Sequence, residues 1–235
     1  MTGVQAGRQD AWMQRFREGS DAYRAWLPSI FTGPRAVGDH WNEAFEDEQQ
    51  ASADEWCFRM GAMCARCGAD LHCYSDEALG NGLWCLFSSS ISDMTVAVCQ
   101  PVDDRNLQLA ALASIGTLYR DCLEPRCKPV LGHHSSGGRD PLSMATYMMW
   151  DLGLPLRPEK TDERPVVLHV LASTLDSPNI ACIESGLHGL SHFAFRSPEA
   201  KAMVQAIIEP FLVRRQDIPA ELRAYAQAAM LGYCQ

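Results

Sequence analysis

The sequence has no apolar run long enough to cross a bilayer, which takes about 20 consecutive apolar residues. Its opening stretch, MTGVQAGRQDAWMQRFREGSDAYRAWL, lacks a signal peptide's short apolar block and small-residue cleavage site. These two absences predict a cytoplasmic protein with no membrane partner. A phosphate loop and a dinucleotide fingerprint are also missing: SSGGRDP has neither the lysine nor the preceding strand. Ser135 and Ser136 follow two histidines in GHHSSGG, but no strand–turn–helix elbow surrounds them, so the stretch reads as a loop. Cys64 and Cys67 form one closely spaced pair in CARC, and the second pair that a zinc ribbon needs is absent. Positive charge is in deficit: 20 Lys and Arg stand against 29 Asp and Glu, a formal net charge of −9. An acidic surface repels phosphate backbones and speeds association with a basic partner.

What is present points to a helical core. The chain has 235 residues, 47% of them hydrophobic, enough to bury a core without obligatory metals or disulfides. Ten cysteines are many, yet without a secretion signal they are expected as free, buried thiols. Trp12, Phe16, Tyr23 and Trp26 fall at helical spacing in a segment from Gln9 to Leu27, with Pro28 as its predicted stop. Residues 41–75 read as a further helix, with Glu43 to Glu48 as its solvated face. ALGNGLWCLFSSSISDMTVAVCQ is ambiguous, and its TVAVCQ end has strand propensity. DDRNLQLAALASIGTLYRDCLEPRC starts at the candidate caps Asp103 and Asp104 and is predicted to close at Pro125. PLSMATYMMWDLGLP is a short helix ended by Gly153 and Pro155. VVLHVLASTLDS and PNIACIESGLHGLSHF form a pair, with Pro178 placed in the first turn of the second. Ser197 caps SPEAKAMVQAIIEPFLVRR, and IPAELRAYAQAAMLGYCQ closes the chain. Alternating strands are absent, so the predicted class is all-α, built of antiparallel helix pairs.

Three of these segments repeat a theme. LQLAALASIGTL, CIESGLHGLSHF and LRAYAQAAMLGY each carry Ala, Gly or Ser along one side, which lets a neighbouring helix approach closely. Over residues 105–234 the chain resembles HEAT-type helical repeats of the small-residue kind. It is also similar there to uncharacterised bacterial proteins with an LHGLGH-like helix. The resemblance implies a short HEAT-like α-solenoid over residues 101–235, joined to an irregular N-terminal helical region over 1–100 in one continuous domain. It implies no activity.

The candidate functional residues are Glu184, His188 and His192, four apart along one helix, with Asp151 as the odd carboxylate of an apolar segment. A His pair at this spacing can reach one zinc ion, although HGLSH lacks the glutamate that zinc proteases place after the first histidine. Cys57, Cys64 and Cys67 share a helix face, as a core stripe does. With His72, Cys73 and Cys85 they make one loose potential ligand set, and Cys122, Cys127, His133 and His134 make another. The leading expectation is a non-enzymatic module with no cofactor. Its concave polar face, furnished by Asp151, Glu184, His188 and His192, would bind a basic protein, as an immunity protein binds a toxin. The alternative is a metal-dependent hydrolase holding zinc on Glu184, His188 and His192.

Overall fold

The structure, a computed structural model, describes residues 3–32, 51–132, 140–154, 156–157 and 159–233. Its helices are α1 (Gly3–Glu18), α2 (Asp21–Phe31), α3 (Ala53–Asp70), α4 (Asp76–Phe87), α5 (Met94–Ala97) and α6 (Arg105–Leu118). A π-helical turn, Tyr119–Leu123, leads to the short α7 (Glu124–Arg126). Then come α8 (Pro141–Leu152), α9 (Arg164–Thr174), α10 (Ile180–Phe195), α11 (Pro198–Arg214) and α12 (Ala220–Ala229). No strand occurs among the described residues, and no helix there is long and apolar enough to cross a membrane. The all-α class is as expected.

Several boundaries differ from the sequence reading, each for a local reason. The first aromatic segment is two helices: Gly19 takes φ +69° and Ser20 caps α2 by accepting from the Tyr23 amide. Pro28 lies inside α2 and does not stop it. Most of TVAVCQ belongs to the helical turn α5 and its end, not to a strand. Helix α3 begins at its Ser52 cap, and the predicted acidic face at Glu43–Glu48 lies outside the described residues. Pro125 does not end the helix before it. Its ring would press on the carbonyl four residues back, and the backbone widens there into the π turn, with the Glu124 amide donating to Tyr119 O. Helix α10 starts after an Asn179 cap, so Pro178 stands just outside it. The Asp104 and Ser197 caps form as predicted.

Helices α9 and α10 pack antiparallel, and each lies in one of two rows of mutually parallel helices. Thr174 faces Gly186 while Leu171 faces Gly189, so α9 and α10 run oppositely. In one row, α6 and α9 are joined by Arg105 to Asp162 (2.7 Å) near their starts and by Gly116 facing Ser173 near their ends. Helix α3 joins α6 in the same sense, through Asp54 to the Asp103 amide and the Cys67 thiol to Thr117 O. Helix α11 follows α9, through Arg164–Glu199 and Arg214–Asp176. In the other row Gly80 of α4 lies on the backbone of Pro141 of α8, Gly189 of α10 on Trp150 of α8, and Phe195 of α10 on Gly232 just past α12.

Helix α10 is the centre of this arrangement. It touches α8, α9, α11 and α12, and 13 of its 16 residues are buried, the pattern of a helix surrounded by others. Its glycines make the enclosure possible. A Cβ on Gly186 would lie 1.7 Å from Thr174 Oγ1, and one on Gly189 would lie 2.6 Å from Leu171 and 2.9 Å from Trp150.

A buried hydrogen-bond chain fixes the register of α8 on α10. The Trp150 indole N–H donates to the Tyr119 hydroxyl at 2.8 Å, Tyr119 donates to Ser185 Oγ at 2.6 Å, and Ser185 donates to the Thr146 carbonyl. Burial pushes the Tyr119 phenol above its ordinary pKa, which keeps that proton in place for the chain.

Nine cysteines are described, and seven of them are buried. Burial pushes the Cys57 and Cys64 thiols up to about 12. Cys73 alone among them is exposed.

Four outcomes follow. Gly186→Leu destabilises the fold by about 1–3 kcal/mol through overpacking. Gly7→Ala, where no atom lies within 4 Å of the added methyl, stabilises it by about 0.4–1 kcal/mol; equilibrium urea unfolding measures both. Tyr119→Phe strands the Trp150 N–H and costs about 1–3 kcal/mol, read from the same unfolding curves. Brief alkylation at neutral pH, mapped by mass spectrometry, labels Cys73 and spares Cys57 and Cys64; labelling of the last two in the native state would mean their stripe is open.

Candidate metal centre

The register set by Ser185 and Gly189 carries forward one turn at a time. One turn beyond Ser185 on α10 is His188, and one turn beyond that is His192. One turn beyond Tyr147 on α8 is Asp151. Because α8 and α10 run parallel, Tyr147 meets His188, with ring centroids 4.4 Å apart. Asp151 meets His192, with Oδ1 3.5 Å from Nε2. The two imidazoles point their Nε2 atoms at one another, 3.1 Å apart.

One potential ligand atom from each of Asp151, His188 and His192 thus falls within 4.8 Å of the other two. Around a tetrahedral ion with bonds of about 2.0–2.1 Å, neighbouring ligand atoms lie about 3.3–3.5 Å apart. The two short edges of the cluster match that spacing, and the third closes with a small movement of the half-exposed Asp151. Both Asp151 and His192 sit in the last turn of their helices, where unpaired carbonyls give the helix end a negative partial charge that favours a cation.

The site is graded in exposure. The Asp151 and His192 side chains are 44% and 34% exposed, whereas His188 is 4% exposed and Glu184 is fully buried. One His188 nitrogen therefore faces the half-open mouth, and the other faces the interior. There Nδ1 lies 2.7 Å from the hydroxyl of Tyr225 on α12, and that hydroxyl lies 3.2 Å from the hydroxyl of Tyr147.

Two expectations are corrected by this geometry. Asp151 joins the histidines, and Glu184 does not belong to the cluster. Glu184 and His192 are separated by about 12 Å along the helix axis, and the Glu184 carboxylate accepts from the Gly132 amide at 2.5 Å. The four residues also do not furnish an open concave face, because Glu184 and His188 lie inside the packing around α10. The cysteine sets are not gathered with metal-ligand spacing among the described residues. Cys57, Cys64 and Cys67 are core residues of α3, and His72 turns back to the Ala69 carbonyl. His133, His134, Ser135 and Ser136 lie outside the described residues.

Sequence reasoning missed Tyr147 and Tyr225. The available signal was a polar atom on an otherwise apolar helix face: each tyrosine interrupts a run of Ala, Met and Leu. Comparison with protein-family models, with curated proteins and with solved structures finds no match to the chain.

Proposed function

We propose that the chain is a metalloprotein in which Asp151, His188 and His192 hold a divalent transition-metal ion that activates water for hydrolysis. The observation that carries this reading is the convergence of three potential ligand atoms from two parallel helices within 4.8 Å of one another, two of the separations being 3.1 and 3.5 Å. Two imidazoles and one carboxylate suit zinc and its first-row neighbours better than calcium or magnesium, which prefer all-oxygen shells. Three protein ligands leave coordination positions for water, as in catalytic zinc sites; structural sites are usually closed by a fourth protein ligand. An ion held by these residues would lower the pKa of its bound water to about 7 and would supply a nucleophile at neutral pH. The residues' own tasks are to hold and aim: His188 anchors from the interior, and Asp151 and His192 close from the mouth.

The reading of the chain as a protein-binding HEAT-like module, with an immunity protein as its sharper form, is kept second. The rows of mutually parallel helices support the repeat, and the net charge of −9 suits a basic partner. The exposed Phe195, Leu231 and Tyr233, brought together where Gly232 packs on Phe195, offer it an apolar contact.

Metal analysis separates the readings. Asp151→Asn and His192→Ala are the informative variants, since both side chains are partly exposed and their loss spares the core. The wild-type protein is expected to take up one zinc ion per chain, and each variant to retain far less. At zinc concentrations about 100 times Kd, the ion should stabilise the wild-type fold by about 2.7 kcal/mol. Glu184→Gln should keep the ion if it folds. Equal, substoichiometric metal in wild type and variants, with no thermal shift on adding zinc, would remove the metal reading and leave protein binding ahead.

A further inference from the structure

We infer that Tyr225 is a positioning residue of this centre, so that the C-terminal helix α12 helps to set the affinity for the ion. The inference rests on the metal reading above and names a regulation of the same site.

The argument starts from the proton count of an imidazole. Neutral His188 has one N–H, and only the nitrogen without it can bind an ion. Its Nε2 faces His192 Nε2 at 3.1 Å, and its Nδ1 faces the Tyr225 hydroxyl at 2.7 Å. Tyr225 can act as donor or acceptor, so two proton arrangements exist. In one, Tyr225 donates to Nδ1, and Nε2–H donates to His192. That arrangement blocks the ligand lone pair. In the other, Nδ1–H donates to Tyr225, and Tyr225 donates onward to the Tyr147 hydroxyl at 3.2 Å. His188 Nε2 then carries no proton and faces His192 Nε2 beside Asp151. An ion selects the second arrangement.

The geometry around the ring supports positioning beyond mere contact. Tyr147 packs against the His188 imidazole at 4.4 Å, which limits its rotation. Tyr225 fixes the edge opposite the ligand atom. Both tyrosines are buried, at 7% exposure each, where a hydrogen bond to the ring counts for more than it would in water. Ligand histidines depend on such an outer partner for tautomer and orientation. Here the partner comes from α12, a helix that supplies no ligand. Linkage then makes the effect reciprocal: whatever loosens α12 weakens the ion, and the ion tightens α12.

Cobalt titration of the full chain, followed by its visible d–d absorbance, tests this. Tyr225→Phe removes one hydroxyl and keeps the buried ring. It is expected to weaken Co²⁺ binding about 10- to 100-fold, with unchanged helical circular dichroism. Equal affinity in Tyr225→Phe and wild type would overturn the role of Tyr225 and leave the centre standing. Failure of the wild-type chain to bind Co²⁺ would overturn the centre itself. A second measurement, on wild type alone, covers the case in which the variant does not fold: ¹⁵N–¹H correlation of the histidine side chains with Zn²⁺ added. The inference expects His188 protonated at Nδ1 and coordinated at Nε2; the opposite tautomer would sink it.

Discussion

The enclosure of α10 is the constraint from which the rest of the structure follows. Four helices surround it, and two of its glycines bring their backbones too close for any side chain at those points. Along Ala181–Ser191 a helix so placed has no solvent face, so each polar residue there must find a partner inside the protein or lose stability by about 1–3 kcal/mol. Glu184 takes the Gly132 amide, Ser185 takes Tyr119 and the Thr146 carbonyl, and His188 takes Tyr225 and His192. These partners lie on separate elements. Satisfying them therefore ties the loop at Gly132, the π turn, α8 and α12 to one helix.

The proposed metal centre is a consequence of that tying. Ser185 and Gly189 set α8 in parallel register, and the same register carried two turns further brings Asp151 to His192. The buried chain through Trp150 and Tyr119 thus acts on the site from a distance: it holds no ligand, but it decides where Asp151 stands. The electrostatic setting agrees with the geometry. Two helix ends converge, one carboxylate lies at the mouth, and the buried imidazole is braced by two phenols. Another charge cluster among the described residues, Glu163 with Arg105 and Arg157, is by contrast self-contained, with its carboxylate buried and oppositely charged groups already in contact.

Much of the fold was legible in the sequence because it is written in short-range signals. Asp104 and Ser197 cap helices by chemistry confined to three residues, and apolar spacing marks the faces between them. What was not legible depends on context. Pro28 and Pro125 read as stops, yet the first lies inside α2, which runs on to Phe31, and the second is absorbed by a π turn. For the site, the spacing of His188 and His192 was visible at once, as any four-residue spacing on a helix is. Asp151 was visible only as an oddity, and Glu184 looked like the better third ligand because it lies on the same helix. Helical geometry decides between them: one helix brings two neighbours to an ion easily, and a third eight residues away poorly, so the third ligand comes by tertiary packing. The tyrosines were hidden for the same reason, since nothing within α12 says what Tyr225 faces.

The role of an ion at this place can be argued from what the fold already has. Small domains use metals to replace a core they cannot build. This chain buries aromatic and aliphatic side chains from Phe16 to Ala229 in one continuous cluster, so its folding does not depend on a metal for want of apolar burial. A purely structural ion would also be best served by a closed, four-ligand shell, whereas two of the three ligands proposed here, Asp151 and His192, are partly exposed. Exposure of that kind weakens an ion's hold and admits water, a poor bargain for stability and a requirement for chemistry. The same exposure leaves His188 as the one ligand held rigidly from behind. The site's precision therefore rests on the interior side of that single imidazole, where the packing of α10 against α8 and α12 is most complete.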